Sequence, residues 1–574
     1  MPSKNYFIEL IEYIKKNKPA KEKLSSHKNK LCSKYKIKTP PTNIQVLLNA
    51  EKEDISKIKK YLLTKPTRTL SGVAVVSIMT KPLPCPHVRK GTGPCSYCPG
   101  GIDSVFGTVP QSYTGREPAT MRAIRNHYDS YLQVFNRLEQ YTVTGHSPEK
   151  IELIIMGGTF PSFPKQYREE FIKYAFKAMN DFSKIFYKGG ELDIVKFKEF
   201  FELPGDVKDK KREKRIQNNS LKLKGTCNLK NEQKKNENSK IKCVGLTIET
   251  RPDFAKLEHA NEMLRLGCTR VELGVQTVYE EILKKIGRGH TVKDSINATR
   301  TLKDLGFKIN YHMMPGLPGV GYREDLNSLK EIFKNPDFKP DMLKIYPCMV
   351  LKGTKLYDEW KKGKYKPLTT KKAAELIAKF KKYVPKYVRI MRVQRDIPTL
   401  MTEAGVDRTN LRQYIKDIMN KKGVRCNCIR CREIGHVLNK NKKIRIGKIK
   451  ILTKGYEASQ GIEFFMSAED VKNDVLFGFC RLRFPNQFLR SEITKDSALI
   501  REIHICSPAV AIGKKSKTSY QHRGLGKKLL EKAEQIARTY YKKKIVVISG
   551  IGARGYFAKL GYKLQGPYMI KFIN

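Results

Sequence analysis

The chain carries a single tryptophan in 574 residues, only 56 acidic residues against 113 basic ones, and no apolar run of the roughly 18 residues that a membrane-crossing helix needs. The missing run argues against a transmembrane helix and a membrane partner. Met1 to Pro40 is basic, contains acids and lacks an apolar centre, so it does not read as a secretory signal. A cytoplasmic protein in a reducing compartment is expected. The shortage of acids leaves a formal charge of +57. Hyperthermophile-type enrichment raises Lys and Glu together, and here Glu does not keep pace. The charge therefore points to a polyanionic partner, nucleic acid first. The apolar fraction of 40% suffices for real cores, and the length is too great for one core, so two or more domains are expected.

Residues 1–70 read as a basic helical region. Phe7, Ile8, Ile11 and Ile14 recur at helical spacing beside Lys15, Lys16 and Lys18. The region is either a solvated helical face or an arm that contacts RNA. Residues 71–390 alternate short apolar runs with amphipathic stretches such as Ala255 to Leu266 and Val292 to Leu305. The runs are Val73 to Met79, Ile151 to Met156, Val244 to Ile248, Val271 to Val275, Phe307 to Tyr311 and Met342 to Tyr346. They mostly lack polar alternation, as parallel strands buried on both faces do. The pattern predicts an α/β fold with a partial (β/α) barrel, functional groups lying at the C-terminal strand ends. Residues 206–240, rich in Lys and Asn and poor in large apolar side chains, read as a flexible insertion. A linker spans 391–444, and a separate domain of alternating strands and one long helix spans 445–574.

Six of the thirteen cysteines form two tight groups, which in a long chain indicate metal rather than disulfides. Cys85, Cys95 and Cys98 follow the first predicted strand, with no fourth cysteine nearby and His87 as the local competitor. A structural zinc would want four closed ligands. Three thiolates suit a cubane iron–sulfur cluster that keeps one iron open. Gly157 and Gly158 end the second strand. Glu249, Arg251, Glu272, Gln276 and His312 are polar groups in or beside apolar runs at the predicted barrel mouth. Each is either a ligand contact or a satisfied hydrogen-bonding group. Cys426, Cys428 and Cys431 form the second group, for which zinc with His436 as the nearest fourth ligand is the expectation.

In the last domain, Arg501 to Ile505 alternates as a strand. After a loop, Gln521-His522-Arg523-Gly524-Leu525-Gly526 leads into a helix with Leu525, Leu529, Leu530, Ala533, Ile536 and Ala537 on one face. Free N–H groups at such a helix start can cradle a pyrophosphate. Ile545 to Ser549 is a further strand, followed by Gly555-Tyr556-Phe557.

These motifs resemble two families. The cysteine trio with Gly157-Gly158 resembles radical S-adenosylmethionine (SAM) enzymes, with a first gap of nine residues that is longer than usual. Gln521 to Gly526 resembles the GNAT acetyltransferase signature. Together they resemble the catalytic subunit of Elongator and its stand-alone archaeal-type relatives, on Cys85 to Gly101, Gly157 to Phe160, Val393 to Pro398, Glu502 to Ile505 and Gly561 to Tyr568. The resemblance implies a tRNA uridine acetyltransferase that forms 5-carboxymethyluridine at the wobble position of the anticodon. In the mechanism it implies, a deoxyadenosyl radical takes hydrogen from the acetyl methyl group of acetyl-CoA, the carbon radical adds to the 5-position of the base, and the thioester is then hydrolysed. Cys85, Cys95 and Cys98 would hold a [4Fe-4S] cluster. Lys150, Glu502, Ile503, His504, Ile505, Tyr520, Gln521, His522, Gly524, Gly526, Tyr556 and Phe557 would meet acetyl-CoA, with Tyr556 and Lys150 in catalytic roles. Position 557 is Phe where many relatives have Tyr, which leaves Tyr556 as the acid. An electron donor is required, and monomer and homodimer without accessory subunits both remain open. The competing reading is a protein lysine acetyltransferase whose cluster domain is structural, and a third is an RNA-binding scaffold.

Overall fold

The computed structural model describes residues 3–89, 91, 93–206, 208–440, 444–506 and 524–573. Helices α1 (Lys4–Asn17), α2 (Lys21–Lys34), α3 (Asn43–Leu48) and α4 (Lys52–Leu62) form a small unit with its own core. The Ser3 hydroxyl caps α1, and Tyr6, Leu10 and Ile14 recur every four residues on its buried face. Ile8, grouped with these residues by spacing alone, falls on the other face and is 51% exposed.

The second unit is one parallel sheet of seven strands in sequential order. Its strands are β1 (Ala74–Met79), β2 (Lys150–Met156), β3 (Lys242–Thr250), β4 (Arg270–Gln276), β5 (Lys308–Met313), β6 (Met342–Ile345) and β7 (Arg389–Arg392). Sequential order with every pair parallel is the arrangement of a barrel, here left unclosed between β1 and β7. Along β2, Ile151, Leu153 and Ile155 enter the apolar core, while Glu152, Ile154 and Met156 face the barrel interior. The seventh strand has no matching apolar run in the sequence, because Arg389 and Arg392 flank its short core of Ile390 and Met391.

The segment 206–240 is not a flexible insertion. It forms helices Lys210–Lys224 and Leu229–Asn238, packed against the long helix Lys165–Phe186. Asp209 and Asn228 cap the two helices. Apart from Leu229 and Ile216, which reach the main core, polar groups hold them. Fully buried Asn236 accepts from the Cys243 N–H at 2.7 Å and donates to the Ile241 carbonyl at 3.0 Å. Asn180 donates to the Glu232 carboxylate at 2.8 Å, and Gln233 donates to the Arg265 carbonyl at 3.1 Å. Composition reads such a segment as unable to bury itself, because it counts apolar side chains and not satisfied amides.

The last domain is a second seven-stranded sheet in the order β8-β9-β10-β11-β12-β14-β13. The strands are β8 (Ile449–Ala458), β9 (Gly461–Asp470), β10 (Val475–Phe484), β11 (Ser497–Ile505), β12 (Lys544–Ile548), β13 (Lys563–Gln565) and β14 (Tyr568–Phe572). Only β11 and β12 pair in parallel. The helix Leu525–Thr539 covers one face through Leu529, Leu530, Ala533 and Ala537. No helix among the described residues is long and apolar enough to cross a membrane.

The other face of this sheet lies on the N-terminal ends of the barrel strands, and buried charges join the two. Arg501 reaches Asp341, just before β6, at 2.5 Å and Glu463 at 2.9 Å. Arg483 reaches Asp304 at 2.6 Å and Glu463 at 3.1 Å. Arg481 reaches Glu502 at 2.9 Å, and Lys303 reaches Glu463 at 3.4 Å. A bulge in β11 makes this possible. Register slips between Arg481–Glu502 and Leu482–Ile500, so Arg501 is an extra residue and turns to the same face as Glu502. Close backbone packing continues at Gly550, where a side chain would strike the Val244 carbonyl at 2.2 Å.

Burial alone would raise Asp341, but Arg501, Lys303 and Arg481 hold it well below the ordinary carboxylate range. Its contribution to stability is therefore present above about pH 4 and lost as pH falls below that value. Asp341→Asn leaves buried guanidinium groups uncompensated and is expected to cost about 3–5 kcal/mol. A thermal or denaturant melt at neutral pH checks this. The wild-type advantage over the variant should shrink steadily in acid.

Candidate active site

Cys85, Cys95 and Cys98 line one cavity of about 350 Å³ at the C-terminal ends of the barrel strands, together with Glu249, Arg251, Glu272, Gln276 and His312. The loop that carries the cysteines is pinned by two backbone bonds, from the Ser96 N–H to Ile286 and from the Leu356 N–H to Ser96, both 2.9 Å. Several donors approach the sulfurs. Gln111 Nε2 lies 2.9 Å from Cys98 Sγ and Arg288 Nη1 lies 3.7 Å from Cys95 Sγ. Arg288 is itself held by the Gly274 carbonyl at 2.7 Å. Burial first, and then Cys95, raise the Cys98 thiol pKa, so this position favours a thiolate only with a positive centre beside it. Among the described residues, the compact groups whose ligand atoms all lie within 4.8 Å of one another do not include this trio. A single tetrahedral ion would draw its ligands that close. The wider trio, ringed by donors to sulfur, fits a polynuclear iron–sulfur cluster.

Gly157 and Gly158 leave β2 at φ of +121° and +105°. A side chain on Gly157 would meet Thr80 Oγ1 at 2.1 Å. The backbone can pass at this point only because nothing projects from it.

Deeper in the barrel is a chain of ionised groups. Lys344 donates to Glu272 and, at 3.4 Å, to Glu249. His312 Nε2 is 2.9 Å from Glu272, and Tyr113 donates to Glu249 at 3.2 Å. Burial works against charge on Glu272, but Lys344, His312 and Arg270 outweigh it and keep the carboxylate ionised. Burial and then Lys344 lower His312, leaving a neutral ring. Glu249, Glu272 and His312 are close enough to hold a cation. The Lys344 ammonium already supplies the positive charge between the two carboxylates, so these three are an ion-pair network here. Lys344, Arg288, Gln111 and Tyr113 escape a reading of the sequence. Lys344 sits inside an apparently apolar run, and the others lie on connecting segments without a motif. A single charge inside a strand-length apolar run was the one available signal for Lys344.

Lys150 stands at the opposite end of β2 from Gly157, outside this cavity. Its register neighbour Lys242 packs on Gly552 of the last domain, where a side chain would meet Lys242 Cβ at 2.5 Å. Burial lowers the Lys150 pKa and Glu149 opposes this.

In the last domain, β11 and β12 pair from Ser497–Lys544 to Ile500–Val547 and then part. Beyond Ile500 the two strands no longer pair, and the helix Leu525–Thr539 starts at Gly524. Ile503 and Ile505 pack toward the helix side. Glu502 and His504 point the other way, Glu502 to Arg481 and His504 Nε2 to the Ser71 carbonyl at 2.8 Å. Tyr556 is 43% exposed, and its hydroxyl lies 2.8 Å from where a side chain on Gly526 would begin. Burial raises its phenol pKa. Phe557 is buried in the core beneath it. Tyr520, Gln521 and His522 lie outside the described residues.

The thiols of Cys426, Cys428 and Cys431 lie within 4.8 Å of one another, the spacing of ligands to one ion. His436 is not the fourth member of this group. Its Nε2 lies 3.0 Å from Glu433, a fully buried carboxylate that also takes Arg389 at 2.6 Å. Glu433 needs both donors to remain buried and charged, and so it draws the imidazole away.

Gly157→Ala is expected to abolish SAM binding at the barrel mouth. It should also cost about 1–3 kcal/mol through strain at a positive φ. Calorimetric titration with SAM and a thermal melt read the two effects separately.

Comparison with known proteins agrees with this geometry. Residues 86–332 match the Radical SAM superfamily, 340–421 the Radical_SAM C-terminal domain, 7–70 the ELP3 N-terminal domain and 450–562 the Acetyltransferase (GNAT) family. The chain is 47% identical to the tRNA uridine(34) acetyltransferase of Methanocaldococcus jannaschii, over 93% of this chain and 91% of that protein. It is 39% identical to human Elongator complex protein 3, over 96% of this chain and 93% of that one. The solved Elp3 of Methanocaldococcus infernus, lacking residues 1–46, superimposes with a TM-score of 0.70 at 42% identity, over 88% of this chain and all (100%) of that one. With identity of this order running through both the barrel and the acetyltransferase domain, the chain belongs to the family of Elongator complex protein 3 and the archaeal tRNA uridine(34) acetyltransferases.

Proposed function

We propose that this protein carboxymethylates the wobble uridine of tRNA, working in the cytoplasm as a tRNA uridine acetyltransferase that draws its two carbons from acetyl-CoA. The observation that carries the reading is that a cysteine trio suited to a cluster and an acetyl-CoA-type cleft are built into one body, back to back. Simple acetyl transfer to an amine needs no radical. Carbon–carbon bond formation at a pyrimidine C5 benefits from one. Cys85, Cys95 and Cys98 would hold a [4Fe-4S] cluster, and Gly157 and Gly158 would admit SAM beside it. Together these groups supply a deoxyadenosyl radical when bound. The residues of the chain orient and shield that chemistry. Arg288 and Gln111 donate toward the thiolates, and the Lys344–Glu272–His312 network fixes the polar lining of the barrel. At the other site, Ile503, Ile505, Gly524 and Gly526 would meet acetyl-CoA, and Tyr556 would hand on a proton. Lys150, between the two domains, serves acetyl-CoA. The +57 charge favours tRNA, whose anticodon base must be splayed out to enter the mouth.

Cys426, Cys428 and Cys431 hold zinc in this reading, with a fourth ligand other than His436. The alternative of a protein lysine acetyltransferase is disfavoured by the packing of Glu502 and His504 toward the barrel. That packing closes the sheet face opposite the helix to a peptide.

Two measurements test the proposal. Anaerobic, cluster-reconstituted protein given tRNA, SAM and acetyl-CoA should yield 5-carboxymethyluridine by mass spectrometry. Cys95→Ser should yield none, and peptide acetylation that survived this change would favour the alternative. Elemental analysis should find about one zinc per chain besides iron, and Cys428→Ser should lose the zinc and keep the iron.

A further inference from the structure

The barrel sheet is open between its edge strands β1 and β7, and the second cysteine group sits in that opening. The Ile429 N–H donates to the Val388 carbonyl, next to β7, at 2.9 Å. On the other side, a side chain on Gly435 would strike the Leu70 carbonyl, four residues ahead of β1, at 2.6 Å. Cys428 and Ile429 are fully buried, and the Cys431 N–H closes back on the Cys428 carbonyl at 2.9 Å. The segment is therefore a plug for the seam of the barrel, with its three sulfurs gathered at one point.

Arg430 lies between those cysteines and lines the barrel cavity with Val75 of β1 and Met391 of β7. Its neighbours are all engaged. Arg389 pairs with Glu433 at 2.6 Å, Arg392 pairs with Asp396, and Arg395 donates to the Ser112 carbonyl. Arg412 donates to the Met391 carbonyl at 3.2 Å, and Arg270 pairs with Glu152 and Glu272. Arg430 alone among the cavity arginines has no hydrogen bond or ion pair among the described residues. The carboxylate that acts on it, Glu433, is already shared by Arg389 and His436, while Arg412 and Arg389 oppose its charge, so a guanidinium held in a partly enclosed cavity here is costly and a ligand anion would offset that cost. Its planar fork matches a carboxylate. A tRNA phosphate stays with its backbone at the mouth, whereas a carboxylate on a small molecule or on an inserted base can enter.

We propose that Arg430, set in the seam by the Cys426–Cys431 segment, is a carboxylate-binding residue of the barrel cavity. On the functional reading above, two carboxylates can reach it: that of the amino-acid end of SAM, and that of the carboxymethyl group on the finished base. Both present the same planar anion, and binding measurements separate them.

The test uses the full-length, cluster-reconstituted, metal-replete protein and equilibrium binding, so no turnover is needed. One arm compares an anticodon stem–loop bearing 5-carboxymethyluridine with one bearing the neutral 5-carbamoylmethyluridine. The other compares SAM with decarboxylated SAM. Wild type should prefer the carboxylate member of one pair by about tenfold or more. Arg430→Met should erase that preference, and Arg430→Lys should keep part of it, since a point charge remains without the fork. Loss confined to the stem–loop pair assigns the product carboxylate, and loss confined to the SAM pair assigns the cofactor. If Arg430→Met keeps the wild-type melting temperature and metal content and leaves both preferences unchanged, the proposal is overturned. If that variant does not fold, an unchanged preference in Arg430→Lys overturns it equally. Failure of the functional reading would look different: wild type would form no carboxymethyluridine, while the SAM pair would still report on Arg430.

Discussion

The structure depends on a set of charges buried between the barrel floor and the acetyltransferase sheet. Arg481, Arg483, Arg501 and Lys303 face Asp304, Asp341, Glu463 and Glu502, all at least nine-tenths buried. The formal charges cancel. Desolvating so many ions is expensive, and only close, mutual pairing compensates for it. An apolar seam could slide, whereas this one has a single register in which each charge finds its partner. The two domains are therefore fixed relative to each other by chemistry that tolerates little displacement.

That fixed relation gives β11 two functions at once. The bulge at Arg501 turns Arg501 and Glu502 together toward the barrel, and the strand then resumes its alternation. Glu502 and His504 close the barrel floor, while Ile503 and Ile505 face the cleft beside the helix Leu525–Thr539. One strand thus packs against both the barrel and the helix Leu525–Thr539. The barrel mouth, with Cys85, Cys95 and Cys98, opens at the far end of the same sheet whose near end carries Lys150. The cysteine-lined cavity and Lys150 thus lie at opposite ends of one parallel sheet.

Much of this was legible along the chain. Six apolar runs marked six of the seven barrel strands, because strands buried on both faces admit few polar residues. The grouping of Cys85, Cys95 and Cys98 was visible as spacing, and the fold brings all three to one cavity. The helix face of Leu529, Leu530, Ala533, Ile536 and Ala537 was readable because its period is local. The failures share a cause. Helices Lys210–Lys224 and Leu229–Asn238 are held by buried amides whose partners lie far off in sequence, such as Asn180 with Glu232. The short strand at Arg389–Arg392 is recognisable only beside β6. His436 looked like a ligand through proximity to the cysteines, yet it answers to Glu433.

The sequence by itself determined the two domain types, Radical SAM and GNAT, since cysteine spacing, the glycine pair and the helix-start motif are local patterns. Only the tertiary structure decided how the domains meet. The partners of Asp341, the direction of Glu502 and His504, and the isolation of Arg430 all arise from contacts between segments distant in sequence. Whether a charge is paired or left facing a cavity is a property of the folded surroundings, and no local pattern records it.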